Sequence, residues 1–516
     1  MNLTMFHLII MIGTVAAVIG IGIYHSRSIK SAAGYSVGGR SAGAPLVAGS
    51  IAGTVVGGGA TVGTAQLAYN FGLSAWWFTL GSGIAFIIMG IFYAKKMRGT
   101  GLETIPQFLS LHYGKKAEEL SSLISSIGIL FSAVASCLPG LEIVSEVFHV
   151  EPGVAAVILV VLVAAYTFFG GMKSAGIGGM LKMGIIWFAL FIAGFEAFSS
   201  IKETSYLAEM DPSQFSLVGR GWEPAMANLF SVIVGVLCTQ TYIQAIFSAD
   251  TPATASFGCF LAALIVIPVG LPSVAIGMYM QAFYPDVLPI MVLPTYLINE
   301  VHPLIGGLAM GGIILSLIGG IGGLVLGIGT MMARDMVAPL LRIENDRKQL
   351  LLTRVLVIAV LGVTSLIAIM NRGTEVLFWT YLSMALRGGG IFLPLSLAVF
   401  YPGHLKPTWA VISMIGSTAA SLVATFLHSP IDPLFVGLIT SGILIVPGLK
   451  KQLEVRSEKL EMVVAAHKLY SAADYIFKSI AFHVKHDIKG YYSADFFCET
   501  FSAIARDKVI KGYTRL

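Results

Sequence analysis

The sequence predicts an all-α polytopic membrane protein of about thirteen transmembrane helices, arranged as a 5+5 inverted repeat with discontinuous helices and carrying a short cytoplasmic helical tail. Three observations carry this reading. Of 516 residues, 56% are hydrophobic and only 11% charged, with a mean hydropathy of +0.84, a balance outside the range of a water-soluble domain of that length. Apolar runs of about 20 residues, long enough to cross a bilayer core, recur along the chain. Lipid offers no hydrogen bonds, so such runs must be helices. Two of them are interrupted at mid-span, by Gly57-Gly58-Gly59 and by Cys238-Thr239-Gln240-Thr241.

Apolar runs lie at 5–24, 45–70, 73–94, 120–148, 153–170, 179–199, 226–248, 259–283, 303–329, 352–370, 376–400, 408–428 and 432–449. The first is long enough to span and has its basic residues on the C-terminal side, so it reads as a retained helix rather than a cleaved signal. Orientation follows from the basic residues in the short loops. One alternate set holds Arg27, Lys30, Arg40, Lys95, Lys96, Arg98, Lys115, Lys116, Lys173, Arg334, Arg342, Arg347, Lys348, Arg354 and Lys406, and the other little beyond Lys202, Arg220 and Arg372. The expected placement is therefore a multi-pass protein of the cytoplasmic membrane, with the N-terminus outside and the C-terminus cytoplasmic. The implied divisions are an extra helix and loop at 1–44, a first repeat at 45–200, an outer loop at 201–225, a second repeat at 226–400, two further helices at 401–450 and a cytoplasmic tail at 451–516.

The net charge of +5 reflects these loops, and nothing in the pattern suggests a nucleic-acid partner. Four cysteines, Cys137, Cys238, Cys259 and Cys498, show no paired spacing and point to no disulfide framework. In the tail, His467, His483, His486 and Cys498 meet no metal-ligand spacing, so no metal site is expected. No nucleophile–base pair or ligand set lies in the spans, and His7 stands alone. No enzyme is predicted.

Glycine inside a helix costs about 1 kcal/mol relative to alanine, and the backbone groups it frees must be satisfied by protein or by a water-filled cavity. Two readings of the triplet are open. One is close helix packing through small residues, which Gly53, Gly57 and Gly63 supply. The other is an unwound stretch lining a binding site, as in secondary transporters, where broken helices occupy matching positions in two inverted repeats. The second interruption, five helices after the first and equally polar, favours the latter reading.

Several segments resemble the sodium:solute symporter family over roughly residues 1–450: Tyr35-Ser-Val-Gly-Gly-Arg40, GGGATVGTAQLAYNFG from Gly57, TIPQFLSLHYG from Thr104, YTFFGGMKS from Tyr166, QTYIQAIFSA from Gln240 and GTMMARDM from Gly329. The resemblance implies a leucine-transporter-like fold, alternating access, and a coupling sodium between the first broken helix and the helix at 303–329. It assigns the carbonyls of Gly53, Val56 and Ser316 to that ion. The family's hydroxyl pair falls at Gly319-Gly320, its Thr-Asp pair at Gly178-Gly179, and its nearby glutamine at Lys182. Sodium is a hard cation that favours oxygen ligands, so the implied ion site is degraded. No cofactor is expected beyond sodium or a proton as coupling ion.

Lys182 has two readings: a lysine snorkelling from its helix end to water, or a tethered cation in the vacated ion position. Desolvated lysines give up protons readily, so the second reading extends to proton coupling. Arg387 likewise is either the partner of Glu142 or the counter-charge of a carboxylate-bearing solute. Further candidate contacts for a small organic solute are Gly58, Gly59, Ala60, Thr61, Thr64 and Gln66 on the first broken helix, Ser132 and Ser136, and Thr239, Gln240 and Gln244 on the second. Gln66 and Gln244 lead, because buried amides need partners. Trp76 and Trp77 read either as outer contacts or as interface aromatics. The expected function is thus a secondary transporter that is proton-coupled or sodium-independent; the alternatives are an ordinary sodium symporter and a transporter-derived solute sensor.

Overall fold

A computed structural model of the chain describes residues 3–26, 31–167, 171–203, 210–427, 429 and 431–450. The tail from 451 onward, with its histidines and Cys498, and part of the Tyr166–Ser174 motif lie outside the described residues.

Among the described residues, helix is found in every apolar range. The principal helices in chain order are α1 (Met5–Ser26), α2 (Ala44–Val55), α3 (Thr64–Phe71), α4 (Trp77–Ile88), α5 (Ile105–Tyr113), α6 (Lys115–Phe148), α7 (Pro152–Thr167), α8 (Gly171–Glu203), α9 (Trp222–Leu237) and α10 (Gln240–Ser248). Then follow α11 (Pro252–Phe283), α12 (Pro303–Met331), α13 (Asp346–Met370), α14 (Val376–Phe400), α15 (Pro407–Phe426) and α16 (Pro433–Ile445). Among the described residues there is no β-strand, only an isolated bridge between Ala42 and Ala249.

Nine described helices are long and apolar enough to cross a membrane, or ten with the bent pair α9–α10 taken as one span. Thirteen crossings are not established by length. Helices Ala44–Val55, Pro152–Thr167 and Pro433–Gly448 are apolar but shorter, and α2 is short because the first interruption cuts it.

Local chemistry starts the helices where the loops end. Thr104 Oγ1 accepts from the Gln107 amide at 3.1 Å, Thr251 Oγ1 from Thr254 at 3.1 Å and Asn345 Oδ1 from Arg347 at 3.0 Å. Each satisfies an amide the helix leaves free, and Pro106 and Pro252, second and first in their helices, lack that amide altogether.

The apolar stretch of α12 is wholly buried, whereas those of α1, α13 and α15 are about one-third buried or less. Helix α12 is therefore central and the other three face lipid. Around it pack α1, α8, α6, α13 and α2, and its many glycines let those neighbours approach.

Candidate functional site

Both interruptions are present in the backbone. Helix α2 stops at Val55, and Val56 leaves helical geometry at φ −79°, ψ 69°. A turn leads into a wide π-type coil at Gly59–Gly63 before α3 resumes. Helices α9 and α10 meet at 44°, with Thr239 extended between them.

The glycine triplet itself is packed rather than cavity-lining. A Cβ on Gly57 would stand 3.2 Å from Ser136 Oγ and 3.4 Å from Gly320 Cα, and one on Gly58 3.0 Å from both Pro139 Cγ and Ser136 Cα. So Gly57 and Gly58 admit α6 and α12 to the break, and the group the break frees for chemistry is the Val56 carbonyl.

That carbonyl accepts from Lys182 Nζ at 2.9 Å and also from the Ser316 hydroxyl, while Nζ donates to the Ser316 carbonyl at 3.3 Å. Lys182 is 1% exposed. Its head points inward to the end of α2, so the snorkelling reading is corrected. The end of α2 favours a cation because the last carbonyls of a helix carry its negative dipole end.

The ammonium thus donates to two of the three carbonyls named above from the family resemblance. The Gly53 carbonyl lies on the same side, since a Cβ on Gly319 would stand 3.1 Å from Nζ and 3.5 Å from Gly53 O. Gly320 lies against Gly57, and Gly179 presses on the backbone of Gly49 and Gly53. At Gly179 a side chain would collide with main chain, which accounts for glycine there.

A second cluster lies on α14. Ser383 donates to the Gly128 carbonyl and shares a hydrogen bond of 2.7 Å with Ser132, whose oxygen is 3.4 Å from Arg387 Nη2. Arg387 is 1% exposed, lies near Tyr242 and Cys238 at the second interruption, and has no acceptor for Nε or Nη1. Pairing with Glu142 is corrected. Glu142 instead holds Arg372 through two bonds of 2.7 and 2.8 Å, which raise the pKa of that guanidinium above its ordinary value. Glu142 lies near the end of α6, level with the loop carrying Arg372. Because that pair is partly exposed, Glu142→Gln is expected to lower stability by no more than about 1 kcal/mol, with the difference shrinking in high salt, as thermal unfolding would report.

The three glutamines hold protein together. Gln66 Oε1 accepts from the Val376 amide at 3.1 Å, at the start of α14. Gln240 accepts from the Ile105 amide at 2.8 Å and donates to the Glu103 carbonyl at 3.0 Å; Gln244 donates to the Ser36 carbonyl at 2.6 Å and to Thr330 at 3.2 Å. These bonds fasten α10 to the basic-loop end of the bundle, where Arg334 pairs with Glu103 at 3.1 Å. Gln240→Leu strips the Ile105 amide of its buried acceptor and is expected to cost about 1–3 kcal/mol, measured as a lower unfolding midpoint in detergent.

Thr61, Thr64 and Thr239 bond back to the carbonyls of Gly57, Gly59 and Gly235, four or five residues earlier, and Ala60 is fully buried. Ser136 sits between Gly57 and Gly320. Trp76 and Trp77 donate their ring N–H groups to the carbonyls of Ile267 and Leu217. Of the sequence candidates, then, the structure groups Gly53, Val56, Lys182, Ser316 and Gly319 around the first break, and Ser132 with Arg387 near the second.

Sequence reasoning missed Thr380, Ser383, Phe78 and Tyr242. Thr380 and Phe78 flank Gly59, and Tyr242 stacks edge-on against Phe86 at 5.4 Å. The available signal was Thr380, Ser383 and Arg387 at helical spacing in an apolar run, which puts them on one face.

A many-helix membrane bundle with two helices broken at mid-depth, and polar groups gathered at the breaks, has the architecture of a secondary transporter. The sequence model of the sodium:solute symporter family matches residues 35–416, and the chain belongs to that family. It is 25% identical to the human high affinity choline transporter 1 over 47% of this chain and 43% of that protein, and 25% identical to the choline transporter of Torpedo marmorata over 61% and 57%. The chain therefore spans about half the length of these curated relatives. In three dimensions it is similar to a Na+-coupled sialic acid symporter in a substrate-bound outward-open state, with TM-score 0.69 and 18% identity, over 86% of this chain and 97% of the other. At that identity the likeness carries the leucine-transporter-like fold.

Proposed function

We propose that this multi-pass member of the sodium:solute symporter family carries a small organic solute across the cytoplasmic membrane by alternating access, without using sodium. The basic-loop end faces the cytoplasm, with the N-terminus outside and the tail inside. Residues 45–200 and 226–400 act as the two inverted repeats. In this reading the Lys182 ammonium takes the place of the coupling cation, and its proton either remains as a fixed charge or is exchanged during the cycle.

The observation that supports the reading is the Lys182 head, buried and bonded to the Val56 and Ser316 carbonyls at 2.9 and 3.3 Å. A sodium ion needs several such oxygens at once, and the ammonium holds two of them. The hydroxyls that would add to the set are absent at Gly319 and Gly320.

The test is uptake into reconstituted proteoliposomes of radiolabelled pyruvate, acetate and choline under an inward sodium gradient, an inward proton gradient, or neither. Accumulation indifferent to sodium is expected. Uptake accelerated by the sodium gradient alone would overturn the reading.

A further inference from the structure

Five charged side chains are buried among the described residues: Glu103, Glu118, Lys182, Asp335 and Arg387. Glu103 pairs with Arg334, Glu118 with Lys115, and Lys182 donates to two carbonyls, while Asp335 accepts from Thr104 and Gln107 through Oδ1 and leaves Oδ2 without a donor. Arg387 differs. It has one long bond, 3.4 Å to Ser132 Oγ, and neither Nε nor Nη1 meets a protein acceptor.

We propose that Arg387 is the anchor for the solute and that the solute carries a carboxylate; this rests on the transport reading above and adds the class of solute to it. A guanidinium taken out of water is costly unless its N–H groups are bonded and its charge is met, and a carboxylate does both by accepting two of them together.

The surroundings select an anion. Ser383 donates to Gly128 O, so the hydrogen between Ser132 and Ser383 belongs to Ser132, which leaves the Ser132 oxygen to accept from Arg387. That hydroxyl pair orients the guanidinium and supplies no negative charge. Tyr242 and Cys238 are nearby neutral side chains, and they place it near the junction of α9 and α10. No acidic side chain among the described residues pairs with Arg387 or Lys182, and Glu142 is committed to Arg372. Two unneutralised cations in the middle of the bundle repel a quaternary ammonium such as choline, the solute in the names of the curated relatives.

The experiment is thermal unfolding of the purified full-length protein in sodium-free detergent buffer, titrated with the potassium salts of acetate, pyruvate and succinate, with choline chloride, and with potassium chloride for ionic strength. A saturable upward shift with at least one carboxylate, and none with choline, is expected. Arg387→Gln should abolish the shift. Arg387→Lys, which keeps the charge without the planar fork, should weaken apparent affinity about tenfold or more. Glu142→Gln should leave it unchanged. If Arg387→Gln does not fold, Arg387→Lys and Ser132→Ala serve in its place, each expected to weaken binding.

Response to none of the three carboxylates, an undiminished shift in the Arg387 variants that fold, or a saturable shift with choline would each overturn the proposal. Binding is read here without any gradient, so a carboxylate that binds through Arg387 but is never accumulated by proteoliposomes refutes the transport reading alone.

Discussion

Replacing Lys182 by glutamine and Gly319 by serine together is expected to create a sodium site where the ammonium now lies. The first change removes the ammonium, which in the wild type lies 2.9 and 3.3 Å from the Val56 and Ser316 carbonyls, and puts a shorter, neutral amide in its place. The second places a hydroxyl where a Cβ on residue 319 lies 3.1 Å from the former Nζ and 3.5 Å from Gly53 O. Oxygens from Gly53, Val56, Ser316 and the new serine then face one point, which is what a hard cation requires. A site that binds only the folded protein stabilises it by about 2.7 kcal/mol at an ion concentration a hundredfold above Kd. The double variant should therefore unfold at a higher temperature in sodium chloride than in potassium chloride, while the wild type shows no difference. Lys182→Met alone removes the ammonium donor from the Val56 and Ser316 carbonyls, leaving the Ser316 hydroxyl on Val56, and should cost about 1–3 kcal/mol in either salt.

Gly320→Val is expected to have the largest effect on folding. A Cβ there would stand 3.0 Å from Gly57 Cα, 3.5 Å from Thr54 O and 3.6 Å from Ser136 Oγ. The nearest of these is main chain at the break, which has no rotamer by which to yield. Overpacking by single methylenes already costs about 1–3 kcal/mol, and valine adds three carbons at a point enclosed by α2, α6 and α12. Loss of folded protein from detergent extracts, or a midpoint lowered by more than that range implies, is the expected readout. Gly362→Ala is the matched control, because nothing lies within 4 Å of its Cβ position, and it should be neutral or slightly stabilising through helix propensity. The same crowding disfavours a serine at position 320.

The helices and both breaks were legible because lipid restricts the backbone to helix and because glycine triplets and polar runs are rare in such segments. The Lys182 cluster was legible only through the family resemblance, since periodicity alone cannot distinguish a head that reaches water from one that turns toward Val56. The glutamines misled for a definable reason. A buried amide signals that partners exist, but the partners of Gln240 and Gln244 are backbone groups at Glu103, Ile105 and Ser36, more than 130 residues away in sequence. Of the two readings of Arg387, the one that pairs it with Glu142 rests only on both falling in apolar runs. Depth within the bundle decides the matter, and Glu142 lies level with Arg372 instead.

The most direct measurement of the central claim is equilibrium binding of radiolabelled sodium to the purified wild-type protein, beside the Lys182→Gln, Gly319→Ser double variant. With the ammonium held against the Val56 carbonyl, the wild type should show no saturable sodium binding and the double variant should gain one site. Saturable binding to the wild type that survives with Lys182 intact would contradict the assignment of that lysine to the cation position.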